Sequence, residues 1–273
     1  MSEISIFGGT GFVGSEFCST TKKPYKLVAR ESRVPLSSDV LYFISTTDNY
    51  NVFSDLHKDI DVNLSILVDV LKNLKPGETT FNFISSWFVY GEGKLPATED
   101  SQCNPKGFYS ITKRTAEQLV ISYCQTFKIN YRILRLCNVY GTNDKSVSKQ
   151  KNALQYLIER IKNSDEINLY HNGQFYRDYM HVHDVARAID LCIEKAPINE
   201  IINIGPKEKT LFKNVIDLAV KITNSKSKIT SIDPTEFHKI IQVRNFYMDS
   251  SKLRNLGFAQ SIPLEEGIKE LCQ

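Results

Sequence analysis

No apolar run in this chain is long enough to cross a bilayer, which excludes the helical membrane-spanning classes. Blocks of like charge are missing too. The 34 Lys and Arg residues are interleaved with 31 Asp and Glu residues, and a net charge of +3 is too small for a nucleic-acid surface. Cysteines are sparse: those at 18, 103, 124, 137, 192 and 272 form no close pair and no metal-ligand spacing. Reduced, mostly packed thiols are expected, with no metal site. There is no internal repeat and no low-complexity segment. The first motif begins at residue 8 and leaves no room for a signal peptide before it, so a cytoplasmic protein is expected. A chain of 273 residues can still bury a substantial core, as one large domain or as a domain with a smaller lobe.

Apolar strand-like runs alternate with helical patterns, and that order argues for an α/β fold with helices on both faces of a parallel sheet. Strands are expected at 4–7, 25–29, 40–45, 81–86 and 131–135. Helices are expected at 59–74, ending before Pro76-Gly77, and from Tyr109 to about Phe127. Beyond Gly141 the spacing loosens. A helix over 152–163 carries Leu154, Leu157, Ile158 and Ile161 on one face, and further helices are expected at 211–223 and 264–271.

Three motifs carry chemistry. The first strand runs directly into Gly8-Gly9-Thr10-Gly11-Phe12-Val13-Gly14. Glycines there make a tight strand-to-helix turn, admit a pyrophosphate to the backbone and let the helix pack on the sheet. The N–H groups at the helix start then bind the anion. Tyr109 and Lys113 stand four residues apart, which places a phenol and an ammonium on one helix face. A neighbouring cation favours phenolate, so the Tyr109 pKa is expected to fall from about 10. Ser85-Ser86 ends a buried strand, where a hydroxyl can meet a substrate oxygen.

Taken in order, Gly-x-x-Gly-x-x-Gly, Ser-Ser-x-x-Val-Tyr-Gly and Tyr-x-x-x-Lys resemble the extended short-chain dehydrogenases/reductases. Among these the chain is most similar to the NAD(P)-dependent nucleotide-sugar epimerases, reductases and dehydratases. Asp61-Val62-Asn63-Leu64, Arg135-Leu136-Cys137-Asn138-Val139-Tyr140-Gly141, the stretch Gly173 to Ala186, Asn203-Ile204-Gly205 and Asp249 to Phe258 extend the likeness over nearly the whole chain. The resemblance implies a Rossmann-like doubly wound sheet over 1–140, rejoined by 179–204, with a substrate-binding lobe from 141–178 and 205–273. It implies Ser86, Tyr109 and Lys113 as catalytic residues. Gly8, Thr10, Gly11, Phe12, Val13, Gly14, Arg30, Ile44, Ser45, Thr46, Tyr109 and Lys113 would hold the cofactor. Ser86, Trp87, Asn138, Arg177 and Arg244 would face a nucleotide sugar, the arginines on its diphosphate. Helices 59–74 and 108–127 would form a homodimer interface.

Departures from the family pattern are informative. Asp39 to Thr46 follows Arg30 after only a short loop, so the third strand and its helices are expected to be missing on the adenine side. The acid that would bind the ribose of NAD is replaced by Arg30, Ser32 and Arg33, which favours NADP, with NAD also possible. An open adenine side suits a reductase, which must exchange cofactor every turnover. Trp87-Phe88 stands where the dehydratases carry an acid pair, which points away from water elimination. His181 and His183 on a strand would point both rings one way, but no third metal ligand is evident. The expected activity is reduction of a 4-keto group on a nucleotide sugar. A 4-epimerase is the alternative, and a non-catalytic dinucleotide-binding scaffold or redox sensor is the rival from another class.

Overall fold

A computed structural model describes residues 2–144 and 152–273. Its centre is a six-stranded parallel sheet built from β1 (Ile4–Phe7), β2 (Tyr25–Leu27), β3 (Asp39–Tyr42), β4 (Thr80–Ser86), β5 (Asn130–Leu136) and the Glu200–Ile204 strand. In space the order runs β2, β1, β3, β4, β5 and then Glu200–Ile204. The chain thus leaves β1 toward one edge and returns on its other side to form β3. The carboxyl ends of β1 and β3 flank this switch point, the place where open α/β sheets bind ligands. The strand expected to be missing is missing: among the described residues β2 pairs only with β1, and all three of its residues are exposed.

Strands covered on both faces read as continuous apolar runs, and β1 is buried throughout. Phe7, Tyr42, Phe81 and Phe83 face one way, onto Leu67 and Val70 of one helix and Ala116, Val120 and Cys124 of another. Ile4, Ile6, Leu41 and Leu134 face the other, onto Phe17, Val185, Ala188 and Ile189. Each such side chain contributes about 1.5–3 kcal/mol on burial, which fixes both helix layers to the sheet.

The Phe108–Phe127 helix positions the chemistry. Ala116, Val120 and Cys124 recur every four residues and seat it on the sheet, and Lys128 closes it in the left-handed conformation (φ 55°). At its start Gly107 has φ +88°, and a Cβ there would lie 2.4 Å from Asn49 Oδ1, so only glycine lets the two segments approach. The helix expected at 59–74 is interrupted. Lys58–Ile60 and Ile66–Leu71 are α-helical, but Asp61–Ser65 forms one wide turn with i→i+5 hydrogen bonding. Ile60 and Val68 on these segments, with Phe108 and Ile111 on the next helix, remain exposed.

The chain after β5 builds a separate apolar cluster around Tyr140, Leu154, Ile158, Leu169, Phe212 and Ile216. Short strand pairs frame it: Asn138–Tyr140 with Tyr179–His181, and Ile167–Tyr170 with Ile229–Ile232. The return expected at 179–204 is therefore divided. Tyr179 packs in this cluster, while Met180, the Val182–Lys195 helix and the Glu200–Ile204 strand pack with the central sheet.

Candidate active site

The glycine turn forms one wall of the switch point. Gly8 has φ +75°, and a Cβ added to it would meet the Ile44 backbone nitrogen at 3.0 Å. A Cβ on Gly14 would lie 2.6 Å from the Gly8 carbonyl oxygen. No shift of a flexible side chain could relieve either approach, so both positions require glycine. Gly11 opens the Phe12–Thr20 helix, no side chain caps its first N–H groups, and Thr10 and Gly11 are exposed. An uncapped helix start beside a cradle that any Cβ would fill suits a dinucleotide's pyrophosphate. Three residues past β2, Arg30 is exposed and its side chain makes no hydrogen bond or ion pair among the described residues, whereas Arg33 donates to the Arg30 and Ser32 carbonyls at 2.8 and 3.0 Å.

Across the switch point stand Ser86, Tyr109 and Lys113. Ser86 ends β4, and its hydroxyl both caps the short turn after it, accepting from Phe88 N at 3.4 Å, and hydrogen-bonds with the Tyr109 phenol. The Tyr109 ring packs edge-on against Phe88, with centroids 5.7 Å apart. Burial pushes the phenol up to about 12; the Ser86 bond opposes this, and the charges of Asp59 and Asp48 add to it. The expected fall is corrected, and the reason is geometric. Lys113 turns its amine to the Ile84 carbonyl at 2.7 Å and over the Phe83 ring at 4.2 Å, not to the phenol. Burial brings the lysine down to about 7, against the opposing charge of Glu117. Both groups are held in their uncharged forms more strongly than in water.

Behind the pair lies a polar network. Asn63, set inward by the wide turn, accepts from Thr46 N at 2.8 Å and from the Ser45 hydroxyl at 3.0 Å. It donates to the hydroxyls of Thr46 at 2.8 Å and Thr112 at 2.9 Å. Asn49 likewise accepts from Ser110 N at 3.3 Å. One turn beyond Lys113, Glu117 is clasped by Arg135 through bonds of 2.9 and 2.8 Å, by Arg114 at 2.8 Å and by Ser85 at 2.6 Å. Burial works against its charge, but these partners hold the carboxyl below its ordinary value.

On the substrate side the expected residues separate. Arg177 does not offer a free fork. Its Nη1 donates to the Tyr176 and Arg244 carbonyls at 2.9 and 2.8 Å, and its Nη2 to the Val243 carbonyl at 2.8 Å. It shapes the segment that carries Arg244, whose own side chain is exposed. Trp87 is 5% exposed and stacked between Phe88 and Phe246, with the Arg177 guanidinium 5.5 Å from its ring. Asn138 donates to Asp178 at 3.3 Å. Burial raises the Asp178 carboxyl to about 6, against bonds that include one from Met248 N.

The histidine pair does not converge. His181 ends its strand and caps the Val182–Lys195 helix by accepting from His183 N at 3.2 Å. Its Nε2 faces Glu270 at 3.2 Å without hydrogen-bond alignment, while His183 meets Glu16 at 3.0 Å. The change from strand to helix between them turns the two rings apart. All six cysteines are free. No helix among the described residues is long and apolar enough to cross a membrane.

Sequence reasoning did not single out Asp59, Thr112 or the Glu117–Arg135 pair. In the sequence Asp59 marks only the start of the helix expected at 59–74. Glu117 follows Lys113 by four residues, a spacing that could have flagged it.

A doubly wound sheet with a glycine turn after its first strand, a serine ending β4 and a tyrosine and lysine four apart on the next helix is the pattern of an extended short-chain dehydrogenase/reductase. The chain belongs to the NAD dependent epimerase/dehydratase family, whose model matches residues 37–205. A trifunctional UDP-glucose 4,6-dehydratase/UDP-4-keto-6-deoxy-D-glucose 3,5-epimerase/UDP-4-keto-L-rhamnose-reductase of Arabidopsis thaliana is 27% identical over 277 residues. The match covers 96% of this chain but 39% of that one, so the chain spans well under half of its relative. Among solved structures, a UDP-glucose 4-epimerase of Thermotoga maritima with UDP-glucose gives a TM-score of 0.86 at 21% identity, covering 99% of this chain and 97% of that one. RMD from Pseudomonas aeruginosa complexed with NADPH gives 0.84 at 18% identity, covering 100% and 98%. At these identities the structural likenesses establish the fold.

Proposed function

We propose that this chain reduces a 4-keto group on a nucleotide-activated sugar with NADPH. The observation that carries the reading is the Tyr109 phenol, buried, hydrogen-bonded to Ser86 and raised to about 12. A phenol that stays protonated at neutral pH is ready to donate, which is what reduction asks of it. Oxidation, with which an epimerase begins, needs phenolate first.

The residues fit a nicotinamide dinucleotide. Gly8, Gly11 and Gly14 with the helix start at Thr10, Phe12 and Val13 would hold its pyrophosphate, Ile44 to Thr46 would line it, and Arg30 would meet the extra phosphate of NADP. When bound, the cofactor supplies the hydride. Ser86 orients the substrate carbonyl and donates to its oxygen. Tyr109 gives its proton to the alkoxide as that forms. Lys113, near 7, is poised to gain or lose a proton one turn along the same helix from Tyr109. Arg244 offers an open donor fork to a diphosphate, and Arg177 holds its backbone in place. Trp87 and Asn138 would back the sugar side. Residues 141–178 and 205–273 would form the substrate lobe, of which 145–151 lie outside the described residues. The exposed apolar residues Ile60, Val68, Phe108 and Ile111 support a homodimer through these helices.

A second reading, 4-epimerisation, draws support from the fold shared with UDP-sugar 4-epimerases. Mixing the purified protein with NADPH and a panel of UDP-, dTDP- and GDP-linked 4-keto sugars separates the readings. One-for-one loss of absorbance at 340 nm supports reduction. Conversion of a 4-hydroxy sugar with no net cofactor loss replaces reduction with epimerisation, and NADPH binding without turnover of any sugar replaces both with a scaffold or sensor.

A further inference from the structure

Among the described residues, Asp59 is a buried carboxylate with no ion-pair partner. It is 1% exposed, and its Oδ1 accepts from two neutral donors, the Thr46 hydroxyl and Asn51 Nδ2, the latter at 3.1 Å. The one basic group acting on it, exposed Lys58, is the weakest of the influences on its titration. Burying an unpaired carboxylate costs stability, which two hydrogen bonds from neutral donors offset only in part. Groups of that kind cluster where a protein does chemistry.

The geometry leads from Asp59 to the reacting phenol. Thr46 donates to Asp59 and accepts from Asn63 at 2.8 Å. Asn63 donates onward to Thr112 at 2.9 Å. Thr112 Oγ1 donates to the backbone carbonyls of Phe108 at 2.8 Å and Tyr109 at 3.1 Å. The chain of bonds joins the loop after β3, the wide turn and the first turn of the Phe108–Phe127 helix. We propose that Asp59 is a positioning residue for Tyr109, acting through Thr46, Asn63 and Thr112 to lock the cofactor-side loop and the phenol's helix into one unit. Its charge also bears on the phenol, which is faced by the Ser86 hydroxyl, the Phe88 ring and Asp48, with Lys113 on the same helix. Asp59 and Asp48 oppose ionisation and so keep the phenol a donor. The inference rests on the reductase reading for its kinetic part and on geometry alone for the rest.

Asp59→Leu and Asp59→Asn test it in the full chain, with turnover, NADPH affinity by fluorescence and melting temperature measured together. Asp59→Leu breaks the chain of bonds. It is expected to lower kcat at least about tenfold while KM and NADPH affinity stay within about threefold and melting holds or rises. Asp59→Asn keeps an acceptor for Thr46 but removes the charge, so kcat is held and the alkaline limb of its pH profile moves down by on the order of one pH unit. The same displacement is expected in the titration of the Tyr109 ring followed by NMR on 13Cζ-labelled tyrosine, assigned with Tyr109→Phe. Unchanged kcat in Asp59→Leu, or parallel loss of melting temperature and turnover, overturns the proposal. So does an unmoved Tyr109 titration in Asp59→Asn, which decides the matter if Asp59→Leu fails to fold. Should no nucleotide sugar be turned over by the unaltered protein, the reductase reading falls, while melting and the ring titration still judge Asp59.

Discussion

Lys113 and Glu117 stand one turn apart on the same helix, are both almost fully buried, and are treated in opposite ways. Glu117 has two arginines and a serine hydroxyl around it, and its charge is secured. Lys113 has one carbonyl and the face of a phenylalanine, and burial drives it toward neutrality. Two further groups are similarly unmatched among the described residues: Tyr109 is held protonated and Asp59 has no ion-pair partner. One layer of this helix is built to stay charged and the next to change charge. The first ties β4, β5 and the helix together, whereas the second has its polar groups free to respond to a ligand. Stability and reactivity are thus separated by about 6 Å along a single helix, one turn being 5.4 Å of rise.

The sharpest test of this contrast is Tyr109→Phe. It is expected to cut turnover by about 10³–10⁴-fold while melting temperature and NADPH affinity remain near those of the unaltered protein. A comparable loss of stability would show that the reactive layer also carries the fold. Glu117→Ala should do the reverse, costing about 3–5 kcal/mol in urea unfolding because Arg135 is left buried and unpaired. A cost below about 1 kcal/mol would erase the distinction between the layers. Lys113→Met should lower turnover by about 100-fold yet leave the cofactor-free protein no less stable. Here the sign is fixed by linkage. Folding moves the lysine from 10.5 to about 7, so between these values the unfolded chain binds more protons and stability climbs as pH rises. That climb should be flatter in Lys113→Met. The smallest effect is expected at the sheet's open edge. Arg30→Ala should raise the KM for NADPH about tenfold and leave that for NADH unchanged, and equal effects on both would favour NAD.

The sequence made the sheet legible because strands covered on both faces, such as Ile4–Phe7, leave an unmistakable apolar run ahead of a glycine turn. The missing strand was also readable, since so few residues separate Arg30 from Asp39. The serine, tyrosine and lysine were visible as types at spacings. What their spacing could not carry was direction. Lys113 turns to Ile84, a residue distant in sequence, and Arg177 spends its donors on carbonyls of Val243 and Arg244. His181 and His183 diverge because a helix begins between them. The lysine and arginine outcomes depend on backbone groups brought in by tertiary packing, which periodicity does not encode.

The wide turn at Asp61–Ser65 uncouples the two ends of its helix. In a regular helix every residue advances the same 100°, so the faces presented above and below are rigidly geared together. The extra residue in this turn disengages that gearing. Asn63 can aim at Thr46 while Leu67, Val70 and Leu71 independently meet the sheet. Removing any single residue from 61–65 would mesh the gears again, and either the asparagine or the leucines would lose their seat.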